Sequence, residues 1–75
     1  MAGEPDPWAK KAKQLLRVEM VGRSVTYDEL ANLLAAIGVT ETPANLRNKI
    51  SRGKFTAAFL LQCLRVLGCN NLRLD

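Results

Sequence analysis

Thr42-Pro43-Ala44-Asn45-Leu46-Arg47-Asn48-Lys49-Ile50-Ser51-Arg52-Gly53 holds a helix start, a helix stop and a division into two faces. Thr42 is of the type that caps a helix start, and Pro43 suits the first helical position, where a missing N–H costs little. Gly53 closes the segment. Between these signals only Leu46 and Ile50 are large and apolar, one turn apart, so a narrow stripe faces a core. At about 100° per residue, Asn48 points away from that stripe; Asn45 and Arg52 flank Asn48, with Arg47, Lys49 and Ser51 at the sides. A helix with so little apolar surface must be held by neighbours.

Those neighbours are legible on both sides. Upstream, Thr26-Tyr27-Asp28-Glu29 is a capping box: the Thr26 hydroxyl can accept from the Glu29 amide while the Glu29 carboxylate reaches back. Val25 and Leu30 stand where a hydrophobic staple would, Leu30, Leu33, Leu34 and Ile37 form the expected buried stripe, and Gly38 stops the helix. A first helix is expected from Trp8 to about Val21. Trp8, Ala12, Leu15, Leu16 and Met20 lie on its inner side, and Gly22 closes it in the left-handed conformation. Downstream, a helix runs from Thr56 to Leu67, with Phe55 and Leu60 as a second staple and Gly68 as its stop. Ala58, Phe59, Leu61, Leu64, Val66 and Leu67 make it apolar around most of its circumference, as for a central or interface helix. Asn70-Asn71 signals a turn, and Leu72-Arg73-Leu74 alternates like a short strand or an extended tail. The fold class is therefore all-α: a compact bundle of four helices, five at most, in a helix-turn-helix arrangement. One domain spans residues 8–69, after an acidic, proline-rich leader (1–7) expected to be disordered and before a short extended tail (70–75).

Composition narrows the function. The 75 residues allow one domain, and 48% hydrophobic content suffices for one core. With no histidine, the commonest general base and metal ligand are missing, as are Ser-His and Cys-His nucleophilic pairs. Cys63 and Cys69 are six apart, which is not a CxxC spacing, and lie on different faces of a helix. They read as reduced thiols of a cytoplasmic protein, Cys63 as a small core residue. No apolar stretch reaches the length of a membrane span, and the N-terminal residues lack the regions of a signal peptide. The adjacent carboxylates Asp28 and Glu29 are explained as first-turn helix residues, and a chain this short leaves little room for a substrate cleft. No enzymatic activity, cofactor, metal or small-molecule ligand is expected.

The net charge of +4 is unevenly placed. Between Glu41 and Asp75 there is no acid, while Arg47, Lys49, Arg52, Lys54, Arg65 and Arg73 fall in that interval. Lys10, Lys11, Lys13 and Arg17 form a second basic group. Such asymmetry suits a phosphate binder, although a solvated basic surface would read the same way. The third helix tips the balance, because an outward face with two asparagines and several cations, and no acid, suits the DNA major groove. Asparagine pairs bidentately with adenine and arginine with guanine. Asn45, Asn48 and Arg52 are the expected base contacts. Thr42, Arg47, Lys49, Lys54, Thr26, Tyr27, Lys10 and Lys11 are the expected phosphate contacts.

Two resemblances bear on this reading. Thr-Tyr-Asp-Glu-Leu-Ala at 26–31 and Ile-Ser-Arg-Gly-Lys at 50–54 look like parts of lambda-repressor-like regulators. Trp8, Val25-Thr26-Tyr27, the run Asn-Leu-Arg-Asn-Lys-Ile-Ser-Arg-Gly-Lys-Phe at 45–55, and Phe59 to Leu64 resemble a family of small uncharacterised bacterial domains. The resemblance implies a bacterial protein with a lambda-repressor-like fold. Ala31 lies seven residues before Gly38, farther than repressor-like domains place it, so the base contacts rest on helical geometry and not on alignment. The expected function is sequence-specific binding of double-stranded DNA by a small bacterial or phage transcriptional regulator, cytoplasmic and associated with the nucleoid. The alternative is a protein-interaction module or adaptor without nucleic-acid binding. RNA binding ranks lower, because Trp8, Phe55 and Phe59 read as core or staple residues and not as stacking platforms. A homodimer is also expected, with Leu72 and Leu74 of two tails at its interface, since one short recognition helix covers little DNA.

Overall fold

Among the described residues, each of the four helices begins on a side chain that accepts from its first turn. In the computed structural model, which describes residues 6–74, α1 spans Pro7–Gly22, α2 Tyr27–Ala36, α3 Pro43–Arg52 and α4 Ala57–Leu67. The carboxylate of Asp6 accepts from the Trp8 and Ala9 amides, and the hydroxyls of Thr42 and Thr56 accept from Asn45 N and Phe59 N. At α2 the capping box is complete: Glu29 N donates to Thr26 Oγ1 at 3.2 Å, and Thr26 N donates to Glu29 Oε1 at 3.0 Å. The start of α1 therefore lies before Trp8, and Asp6 and Pro7 belong to the folded chain. Of the leader expected to be disordered over residues 1–7, the remainder, residues 1–5, lies outside the described residues.

The helices form two crossing pairs. α1 and α2 each pack against both α3 and α4, whereas among the described residues the backbones of α1 and α2, and those of α3 and α4, stay apart and meet through side chains alone. The core between them is Leu16 and Met20 of α1, Leu30 and Leu34 of α2, Leu46 and Ile50 of α3, and Phe59, Cys63, Leu64 and Leu67 of α4. Leu16, Leu30, Leu34, Leu46, Ile50 and Cys63 are fully buried, each large aliphatic contributing about 1.5–3 kcal/mol of transfer free energy. No buried side-chain polar atom lacks a partner among the described residues.

Four local expectations are corrected. Trp8 is not on the buried stripe but 79% exposed, and its neighbour Ala9 is buried instead. The reason lies at α3: a Cβ on Gly53 would stand only 2.0 Å from the Ala9 carbonyl oxygen. The α1 backbone touches the end of α3 there, so a small residue faces α3 and the indole turns outward. Gly22 is helical and does not close α1; Ser24 takes the left-handed conformation at φ 56°, and Val25 N donates to Met20 O at 2.9 Å. On α2, Leu33 and Ile37 are exposed, because Leu30 and Leu34, with Tyr27 and Ala31 beside them, are the residues that meet the core. On α4, Leu61 and Ala58 face outward, so its apolar girth exceeds what the core uses. Among the described residues there is no strand, and the tail continues without regular structure.

Candidate nucleic-acid interface

α3 joins its flanking segments through tight ends. Thr42 and Pro43 start it, and Gly53 ends it at φ 68° with its N–H shared between the carbonyls of Lys49 and Ile50. With Leu46 and Ile50 fully buried, the rest of the helix is fixed in rotation. Asn45, Asn48 and Arg52 are all exposed and stand at i, i+3 and i+7, within an arc of about 60°. Among the described residues, the side chains of Asn48 and Arg52 form no hydrogen bond or ion pair. Their donors and acceptors point to solvent.

The flanks of α3 differ. On one side, the Arg47 guanidinium lies 5.4 Å from the centroid of the Tyr27 ring, a cation–π distance that ties α3 to the start of α2. Arg17 of α1 and Thr26 border the same depression. On the other side, the Lys49 ammonium is ion-paired with Glu41 and lies 5.0 Å from the Phe59 ring centroid. The Glu41 side chain is only 9% exposed, so this acid is tucked beneath the edge of α3. The lower end of α3 opens on a cleft where Ser51, Arg52 and Lys54 meet Lys10 and Lys13 of α1.

The residues expected from the sequence to meet DNA thus divide. Asn45, Asn48, Arg52, Arg47 and Lys54 are brought together on or beside the outer face of α3, and Lys10 joins them from α1. Lys49 sits there too, but engaged by Glu41. The Thr42 and Thr26 hydroxyls accept from the amides of Asn45 and Glu29, and Thr26 Oγ1 also donates to Glu29 Oε1 at 3.2 Å. Tyr27 is half-buried against the core. Lys11 is on the other flank of α1, in a groove with Leu15, Val18, Glu19 and Leu72. Leu72 is half-buried against its own chain's core, while Leu74 is 69% exposed. Lys13 and Arg17, outside the contacts expected from the sequence, also border α3, and their i+3 and i+7 spacing from Lys10 is the sequence signal for it. The pairing of Glu41 with Lys49 had no comparable signal, since eight residues and a helix start separate them.

The two cysteines are Cys63, buried in the core, and Cys69, half-buried after α4. Both are free, and Cys69 Sγ donates to the Asn71 carbonyl at 3.1 Å. Burial pushes the Cys63 thiol up to about 12, the nearby Glu41 charge adding to the effect and Lys49 opposing it. It stays protonated at neutral pH.

One family profile, described as a domain of unknown function (DUF6471), matches residues 8–72. The chain belongs to the DUF6471 family. No curated protein and no solved structure matches it significantly. The DUF6471 match runs from Trp8 to Leu72 and so takes in the core of all four helices, the exposed arc of α3 and the basic side of α1. No helix of the DUF6471 chain is long and apolar enough, among the described residues, to cross a membrane.

Proposed function

We propose that this protein binds double-stranded DNA sequence-specifically, with α3 in the major groove as the second element of a helix-turn-helix built by α2 and α3. The observation that carries this reading is the arc of Asn45, Asn48 and Arg52: exposed, unengaged in the case of Asn48 and Arg52, and held rigidly by Leu46 and Ile50 beneath it. Asparagine and arginine are the side chains that read adenine and guanine edges bidentately. Arg47 stands beside the arc and Lys54 just past its C-terminal end, where groove walls bring phosphates. The likeness of residues 26–31 and 50–54 to lambda-repressor-like regulators supports the same reading, and with it a role in bacterial or phage transcription, in the cytoplasm and at the nucleoid.

Selection of bound duplexes from a random library, followed by anisotropy titrations, tests the proposal. Asn48→Ala should cost about 1–3 kcal/mol on the selected site and relax preference at one base pair. Lys54→Ala should weaken all duplexes alike and reduce the salt slope by about one. If Asn48→Ala and Arg52→Ala leave selected-site binding unchanged, α3 is not the reading helix.

A second copy belongs to this proposal. A single small module buries roughly 600–1,000 Å² against DNA, and two-fold pairs extend this by reading two half-sites. The tail supplies Leu74 for such a contact, and the flank of α1 supplies Trp8 and Val18, all three exposed. Leu72 is already engaged by its own core. Sedimentation equilibrium with and without duplex measures the stoichiometry: two chains per duplex are expected, and one chain per selected duplex refutes the pairing.

A further inference from the structure

α1 presents three distinct sides. Ala9, Leu16 and Met20 are buried. Trp8, Leu15 and Val18 lie on a second, largely apolar flank, and Lys11 shares it, beside Leu72 of the tail. Lys10, Lys13 and Arg17, at i, i+3 and i+7, make the third side, within an arc of about 60°.

Packing sends that third side toward α3. Lys10 and Lys13 line the cleft at the C-terminal end of α3 with Ser51, Arg52 and Lys54. Arg17 lines the depression at its other half with Thr26, Tyr27 and Arg47. One stripe of α1 thus accompanies α3 along its length. At Ala9 and Gly53 the two backbones come too close to admit a Cβ on Gly53. Among the described residues none of Lys10, Lys13 and Arg17 forms an ion pair. Two acids border the stripe: Asp6 in the cleft, which already accepts from two helix amides, and Asp28 in the depression beside Arg17. Like charges at i, i+3 and i+4 disfavour a helix, a cost that a bound polyanion removes. From Lys10 to Arg17 the helix rises about 10 Å, the length of about three nucleotides of one strand along the duplex axis.

We infer that Lys10, Lys13 and Arg17 bind the phosphates of one DNA strand, as a rail that runs beside α3 and holds it in the groove. This rests on the DNA-binding reading above and goes beyond it. It assigns the electrostatic part of the affinity to a different helix from the one that reads the bases, and it separates Lys10 from its neighbour Lys11.

The test is anisotropy titration of a library-selected duplex and of a scrambled duplex over a series of salt concentrations. The wild type is compared with Lys10→Gln/Lys13→Gln/Arg17→Gln and with Lys11→Gln. The triple variant is expected to weaken both duplexes by the same factor and to flatten the slope of log K against log salt by about two to three. Lys11→Gln should leave the slope unchanged. Circular dichroism and a urea midpoint establish that each variant is folded; if the triple is not, the exposed single variants Lys10→Gln and Arg17→Gln should each flatten the slope by about 0.9. A slope unaltered in the triple variant overturns the rail, as does a loss in Lys11→Gln equal to that in Lys10→Gln, which would mean net charge alone matters. The two readings fail separately. Wild type that binds no duplex refutes DNA binding itself. Selective binding that Asn48→Ala abolishes and the triple variant leaves intact refutes only the rail.

Discussion

Gly53→Ala probes the contact on which the arrangement of α1 and α3 depends. Gly53 is buried at φ 68°, and a methyl group there would stand 2.0 Å from the carbonyl oxygen of Ala9, 2.7 Å from its carbonyl carbon and 3.2 Å from its Cα. All three are backbone atoms, so no side chain can swing aside, and α1 must move off α3. Two costs combine. An L-residue in the left-handed region costs about 1–2 kcal/mol, and overpacking a tight contact costs about 1–3 kcal/mol. The sum, about 2–5 kcal/mol, is a large part of the roughly 4–11 kcal/mol available to a domain of this size. Gly38 and Gly68 are the internal controls: their φ values are 83° and 79°, and a Cβ at either meets nothing within 4 Å. Alanine there carries the backbone cost alone, about 1 kcal/mol after the gain from a stiffer unfolded chain is deducted. With a urea m-value of about 1 kcal/mol/M, Gly53→Ala should lower the midpoint by about 2–5 M, and Gly38→Ala and Gly68→Ala by about 1 M each. Adding Ala9→Gly to Gly53→Ala should restore nothing, since the clash is with backbone. A Gly53→Ala midpoint equal to that of Gly38→Ala would refute the close approach, and with it the register that sets Lys10 and Lys13 beside Arg52.

Thr26→Ala removes the hydroxyl half of the α2 capping box, leaving the backbone N–H of residue 26 to donate to Glu29, and should cost about 0.5–2 kcal/mol in a urea melt while leaving the helical circular dichroism spectrum in place; an unchanged midpoint would place the start of α2 elsewhere. Stability should also fall at alkaline pH through Cys63. In the unfolded chain the thiol ionises near 9.0, whereas the folded protein keeps it protonated to about 12. The folded state therefore has its full advantage below the unfolded value and loses it as pH rises through this window. The loss is about 1.4 kcal/mol per pH unit once well above the unfolded value. The excess slope of wild type over Cys63→Ala in urea midpoints across that window measures it, and parallel pH profiles would contradict it. Finally, Glu41→Gln releases Lys49 from its ion pair. Duplex affinity should rise by up to about fivefold, the factor equivalent to a partly exposed pair of about 1 kcal/mol, and anisotropy titration would show no gain if Lys49 does not meet phosphate.

The parts of this protein that depend on neighbours within a turn were determined by the sequence itself. Thr26, Thr42 and Thr56 start helices because each hydroxyl satisfies an amide three residues on, and Gly38, Gly53 and Gly68 end them because the left-handed conformation is open to glycine. The two faces of α3 follow equally, since only Leu46 and Ile50 can be buried and the arc of Asn45, Asn48 and Arg52 is then forced outward. Other features belong to tertiary structure alone. Hydrophobicity favoured Trp8 as the buried residue of the first turn, but α1 meets the end of α3 backbone to backbone at Ala9 and Gly53, and there Ala9 is the buried residue while Trp8 faces outward. That choice rotates α1, and the rotation divides adjacent lysines, Lys10 to α3 and Lys11 to the tail. The same holds for Glu41 beneath Lys49 and for Leu72 folded onto its own core. These outcomes turn on the shape of a contact between segments far apart in the chain. A local pattern of apolar and charged residues encodes which surfaces want to be covered, while the steric fit of distant backbones decides what covers them.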